Sequence, residues 1–236
     1  MTPAETLIAV DRAEPRAVVD LRGGTLVPRL IDRTHQHVRV ALVAGGALLL
    51  PGDRVRLRVR VGADCHLELA DIGGTVAYGS PAGVPESVAE WRTDIVVGAG
   101  GSLVWHGLPF VVADRAHVRR TTTLTLCGGD ATALVRETLV LGRTGESGGR
   151  IGTRTSVTRA GTPVLVEQLD VAGAEPTPGI LGTARVLDTV LAMGFPMAAD
   201  PAAAETVVLA LDSKDALVRW SGSAAHHSPL PRTRTF

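Results

Sequence analysis

The chain has 236 residues with 24 basic and 24 acidic side chains, so its formal charge is zero and no global field draws it to nucleic acid or anionic lipid. Aromatic residues make up only 3% of it, so Val, Leu and Ala must fill any core. Every basic residue but Lys214 is Arg, and Lys214 sits in LDSKD rather than GxxxxGK[ST], which excludes a P-loop nucleotidase.

In chain order, Met1 to Asp20 carries Pro3, Pro15 and scattered charges and reads as a loose arm or a short edge strand. Thr25 to Pro28 and His37 to Val43 read as strands. From Arg54 to Val61 the residues alternate Arg, Val, Arg, Leu, Arg, Val, Arg, Val, so a period-two backbone places every apolar side chain on one face. Pro51-Gly52-Asp53 and Gly62-Ala63-Asp64 supply turns on either side. The cadence of this stretch returns at Asp94 to Gly107 and at Thr123 to Glu137, a spacing of about 30 to 36 residues. That recurrence fits stacked hairpins in β-helix-like layers with a shared core, and equally fits ordinary hairpins in one sheet.

Between these units, Gly73 to Val84 reads as a loop around Tyr78. Arg115 to Leu126 and Thr132 to Leu141 are strand-like, the glycine-rich block from Gly142 is irregular, and Arg154 to Thr158 and Val164 to Val171 are further strands. Leu181, Ala184, Leu187, Val190 and Leu191 then follow helical spacing, with Gly194 and Pro196 as a stop. Glu205 to Leu211 reads as a strand, Lys214 to Ser221 as a short helix capped by Asp212 or Ser213, Met197 to Ala204 as a helical turn or a loop, and the final HHSPLPRTRTF as extended. The expected architecture is one all-β-dominated domain over residues 1–236, with 1–20 as a possible loose arm and two short helices near the C-terminus.

Candidate chemistry is sparse. His35 and His37 stand two apart, as a metal-binding pair on one strand face would, but Arg29 and the acid-free run Val38 to Leu50 occupy the places where a cupin needs glycine and an acid. His66, His106, His117 and His226-His227 read as surface or hydrogen-bonded histidines. Cys65 and Cys127 lack CxxC spacing and fit reduced thiols in a cytoplasmic protein, as does an N-terminus without an apolar core of signal-peptide length. No GxSxG is present, and the Arg54, Arg56, Arg58 and Arg60 stripe reads as a solvated or partner-facing surface.

Several short runs in a fixed order carry a resemblance. They are GGALLLPGDRVRLRVRVGADCHLELAD, TVAYGS, GGSLVWHGLPFVVADRAHVRRTTTLTL, ETLVLGRTGE and the closing PRTRTF. Together they resemble the urease accessory protein UreD (UreH) family from about Gly24 to Leu217, with Val76 where that family has Lys and a spacing from Arg143 to Glu146 that is short by about two residues. The resemblance implies a non-catalytic scaffold for urease maturation. It would bind the urease apoprotein and a UreF-like partner that recruits a UreG-like, nickel-carrying GTPase, and it would hold no tight cofactor while nickel passes through an internal path. An exchangeable path needs weak oxygen or imidazole ligands rather than a thiolate cage. Glu137, an acid within LVRETLVL, is the first candidate to line it, the alternative being an ion pair with Arg136, Arg143 or another Arg. Asp71 is the second candidate. The competing readings are a metal-dependent β-barrel enzyme built on His35 and His37, and a β-rich carbohydrate-binding module limited to Trp91, Trp105, Trp220 and Tyr78 for stacking.

Overall fold

A computed structural model describes residues 5–175, 180–195, 206–212 and 214–230. Among them the chain runs through β1 (Thr6–Asp11), β2 (Val18–Arg22), β3 (Leu26–Arg33), β4 (His37–Ala44), β5 (Arg54–Val61), β6 (His66–Asp71), β7 (Thr75–Ala77), β8 (Val88–Val97) and β9 (Ser102–His106). It continues through β10 (Phe110–Val112), β11 (His117–Leu126), β12 (Thr132–Leu141), β13 (Arg150–Arg159), β14 (Thr162–Ala172), β15 (Val186–Met193), β16 (Thr206–Asp212) and β17 (Asp215–Gly222), and then a 3₁₀ turn at Ala225–His227.

The strands form two sheets facing each other. One has seven strands in the order β14-β13-β11-β8-β5-β1-β2; the other has ten, following β16-β17-β15-β12-β9-β6-β4-β3, with β7 and β10 attached beside β12. From β5 to β13 the chain alternates between sheets, and each return lays a strand parallel to the one from the previous circuit. Arg54 faces Glu90, Glu90 faces Arg119 and Arg119 faces Gly152, offsets of 36, 29 and 33 residues. The recurring sequence units are therefore the rungs of a β-solenoid-like stack.

The connections differ from hairpins. Gly62-Ala63-Asp64 joins β5 in one sheet to β6 in the other, so it is an arch over the edge of the core. Successive arches nest closely: a Cβ on Gly98 would lie 2.7 Å from Ala63 N, and one on Gly101 would lie 2.8 Å from Gly62 O. That close approach explains why glycine recurs at these corners.

The alternating side chains of β5 behave as the sequence implies, with Val55, Leu57, Val59 and Val61 buried and the four arginines exposed. Between the sheets, inward side chains form continuous rows, such as Val59, Ile95, Leu124 and Val157 across the first sheet and Val38, Leu67, Leu103 and Ala133 across the second. At both ends of the stack the direction reverses, with β1 antiparallel to β2, β3 to β4, β13 to β14, and β15 to both β12 and β17.

Three expectations are corrected. The segment expected as a helix at Leu181–Met193 contains β15, a central strand between β12 and β17. Its inner face packs Leu187, Leu191 and Met193 into the main core; its outer face packs Val186, Val190 and Ala192 with Val218, Trp220 and Leu230 in a second cluster. A strand buried on both faces needs no polar alternation, so its apolar residues matched helical spacing by coincidence. The expected helix at Lys214–Ser221 is β17 for the same reason, and Asp212 ends β16 rather than capping a helix. Of the loose arm or short edge strand expected over Met1 to Asp20, residues 6–11 are not a loose arm, since β1 lies parallel to β5 with Ile8 and Val10 fully buried, while β2 is the edge strand of the seven-stranded sheet. The segment Met197 to Ala204, residue Ser213 and the closing PRTRTF lie outside the described residues. Among those described, no helix is long and apolar enough to cross a membrane.

Candidate functional site

The polar interior between the sheets is built at β11 and β12. On β11 the side chains facing β12 are Val118, Arg120, Thr122, Leu124 and Leu126; on β12 they include Val135, Glu137 and Leu139. Two polar positions on one strand thus confront a carboxylate on the other. Glu137 Oε1 accepts a hydrogen bond from Arg120 Nη2 at 2.7 Å and from Thr122 Oγ1 at 3.4 Å. The ion pair is largely enclosed, with Arg120 13% and Glu137 29% exposed at the side chain. The Arg120 guanidinium also packs against the rings of Phe110 at 5.2 Å and Trp91 at 5.9 Å, while its buried Nε has no hydrogen-bond partner. Cation–π contact stabilises a guanidinium that has been taken from water.

On one side of this pair is a cavity of about 30 Å³ whose walls include Asp71, Trp91, Trp105, Phe110, Arg120 and Glu137. Asp71 ends β6 and accepts hydrogen bonds from the Trp105 indole and from Leu108 N, each at 3.0 Å. Burial pushes its carboxyl above the usual range, against the lowering influence of those two bonds and of Arg120. On the other side is a cavity of about 60 Å³ whose polar lining is Thr122, Thr153, Thr155, Glu167, Thr189 and Arg219. There Arg219 Nη2 donates to Glu167 at 2.9 Å and its Nε donates to Thr189 Oγ1 at 3.3 Å. Arg120, Val135 and Glu137 line both cavities, so the first ion pair stands at their partition. Each space exceeds the roughly 10–15 Å³ that one water requires.

The two acids singled out in the sequence therefore share one cavity, although 66 residues separate them. Of the partners considered for Glu137, neither Arg136 nor Arg143 is the one that binds it. Arg136 turns outward to Asp188, and Arg143 pairs with Glu146 in an exposed turn, where that guanidinium and two backbone N–H groups hold the Glu146 carboxyl down at about 2. Sequence reading missed Arg120, Thr122, Glu167, Thr189 and Arg219. Their signal is parity: Arg120, Thr122, Glu167 and Thr189 stand at inward positions of strands whose other inward residues are largely apolar, whereas Arg219 shares the inward face of β17 with Asp215, Leu217 and Ser221.

The arrangement offers carboxylate and hydroxyl oxygens facing small water-sized spaces, which suits weak and exchangeable contact with a hard or borderline cation. Among the described residues, no group of three or more His, Cys, Asp or Glu side chains is placed to hold a metal ion. Cys65 is buried and Cys127 exposed, both as free thiols. His35 lies in the turn before β4 and His37 is the first residue of that strand, so the pair does not share a strand face and a site of the cupin kind has no footing. The arginine stripe is met by acids across the surface: Arg54 by Glu90, Arg58 by Glu5 and Arg60 by Asp11.

A family model described as UreD urease accessory protein matches residues 22–230. A relative named urease accessory protein UreD 1, from Streptomyces griseus subsp. griseus, is 43% identical over 201 residues, covering 81% of this chain and 77% of that protein. Another from the same organism, urease accessory protein UreD 3, is 34% identical over 202 residues, covering 80% of this chain and 75% of that one. Urease accessory protein UreD 1 of Saccharopolyspora erythraea is 38% identical over 168 residues, 69% of this chain and 64% of its own length. With a match that runs through the rungs, the partition pair and both cavities, the chain belongs to the UreD family, a family of accessory proteins and not of enzymes.

Proposed function

We propose that this protein is a scaffold for urease maturation that binds the urease apoprotein and a UreF-like accessory protein, which in turn recruits a UreG-like GTPase carrying nickel. Nickel is the cargo, and it crosses this chain through the polar space between the two sheets. The observation that carries the reading is the placement of Asp71 and Glu137 on one cavity that shares a wall with a second cavity lined by threonines, Glu167 and Arg219.

In this reading Arg120 holds Glu137 while the path is empty. An arriving divalent cation competes for the same carboxylate oxygen, and Trp91 and Phe110 keep a resting surface for the displaced guanidinium. Asp71, fixed by Trp105 and Leu108, gives the cation a second oxygen donor close by. The threonine hydroxyls beyond the partition are neutral acceptors that bind such an ion only weakly, so it moves on. Co-expression of this chain with its urease and the other accessory proteins tests the reading. Urease activation should depend on the chain, and Asp71→Asn should lower activation at limiting nickel while partner assembly persists. A urease activated fully without the chain would overturn the scaffold role, and wild-type activation by Asp71→Asn would overturn the role of that cavity.

A further inference from the structure

At the first residues of β4, β6 and β9, on the face of the ten-stranded sheet turned away from the core, His37 lies in register with His66, and His66 with Ser102. The two imidazole rings stack with centroids 4.6 Å apart and planes 25° from parallel. Their backbones are held in place: His66 N donates to Gln36 O at 2.7 Å, and His37 N donates to Thr34 Oγ1 at 3.1 Å. The His66 ring is oriented as well, because its Nδ1 lies 2.7 Å from Ser102 Oγ, and this leaves Nε2 as its remaining ligand atom. His37 Nε2 lies 3.5 Å from the side-chain nitrogen of Gln36, and its ring is exposed.

We propose that His37 and His66 form a two-imidazole surface site for a divalent transition-metal ion, with Ser102 as the residue that positions the His66 ring. Imidazole nitrogen favours zinc, copper and nickel over magnesium and calcium, which prefer oxygen. Ligand nitrogens bind such ions at about 2.0–2.1 Å, so two of them on one ion stand about 3–4 Å apart. Rings stacked at 4.6 Å and 25° from parallel point their nitrogens in nearly the same direction, so both rings must turn out of the stack for their lone pairs to converge on one ion. An oriented second nitrogen is the arrangement that metal-ligating histidines use to fix tautomer and direction. With two protein ligands the other coordination positions belong to water, so the ion exchanges readily. The site stands on the outside of the sheet, and its existence does not depend on the internal path.

Titrating the full chain with Ni²⁺ and Zn²⁺, and with Mg²⁺ as control, tests the proposal by imidazole-detected NMR and calorimetry. The His37 and His66 ring signals should shift saturably with the transition metals and stay still with Mg²⁺. His37→Ala, at an exposed position, should weaken binding at least about tenfold with an unchanged Tm, and Ser102→Ala should weaken it by about tenfold while both rings still respond. Binding unaffected by His37→Ala would overturn the site, as would shifts confined to His226 and His227, and the stacked rings would then be a packing contact alone. Should His66→Ala unfold the chain, the exposed His37→Ala variant decides the outcome.

Discussion

Replacing Glu137 by Gln keeps the shape of the side chain and one carbonyl acceptor while removing the charge that Arg120 meets at 2.7 Å. A hydrogen bond to a charged partner contributes about 1.5–3 kcal/mol and a neutral one about 1 kcal/mol; truncating one side of a fully buried pair costs about 3–5 kcal/mol. Here the pair is partly open, and Arg120 keeps its contacts with Trp91 and Phe110 and the field of Asp71. The loss should therefore be about 2 kcal/mol. For a chain of this size, that lowers Tm by about 4–8 °C. Scanning calorimetry and urea unfolding at neutral pH read the first quantity; urease activation per folded molecule at limiting nickel reads the second. A cycle with Arg120→Met isolates the coupling between the two side chains, expected at about 1–2 kcal/mol. An unchanged Tm, together with zero coupling, would refute the partition pair. A lower Tm with activation per folded molecule unaltered would refute the path and leave the pair as a structural device.

Leu187→Asp should abolish folding, because Leu187 points from β15 into the main core; loss of the cooperative urea transition checks it. Asp188→Asn should cost about 3–5 kcal/mol in urea unfolding, since Asp188 is fully buried, paired with Arg136 and bonded by Thr138 at 2.9 Å. Gly142→Ala should destabilise by about 1–3 kcal/mol, because Gly142 has φ of 75° and a Cβ there would lie 2.8 Å from Gly148 N; the urea midpoint reports it. Glu146 ionises at about 2 in the fold against an ordinary 4.5, so its stabilisation is complete above about pH 5 and is lost as pH falls toward about 2. Urea midpoints of wild type and Glu146→Gln should therefore converge across that acid window, and a constant gap would contradict the assignment.

What was legible in the sequence was what a half-buried strand has to display. The Arg-Val alternation of β5 and the recurrence at the later rungs gave the all-β class and the layer spacing, because one face of each such strand meets water. What was not legible was the identity of the second face. Residues 186–193 and 215–222 are covered on both sides, so their period disappears and helix and strand become indistinguishable by pattern. Thr6–Asp11 was hidden by neighbouring prolines and charges, and its burial follows from a parallel partner, β5, that stands more than 40 residues away. Asp71 and Glu137 were visible as acids at the ends or in the middle of apolar runs. Arg120 was not, since one arginine in HVRRTTTLTL looks like its neighbour until the rung register shows which one turns inward.

The reversals of direction at both ends of the stack fix how long the molecule can be. A parallel coil presents unpaired N–H and C=O groups at each terminus, a template on which another chain could continue the winding. Here each terminus is folded back on itself: β2 and β3 close one end, β14 and β16 the other, all antiparallel to the strand they cover. The outermost strands carry Asp20, Arg22, Arg29, Arg33, Pro163 and Asp170, charges and a missing donor that discourage a further strand from adding. Among the described residues the coil is thus stopped at both ends, so the strand edges on which the same rungs could propagate as a fibre are covered by antiparallel strands that carry charge or proline.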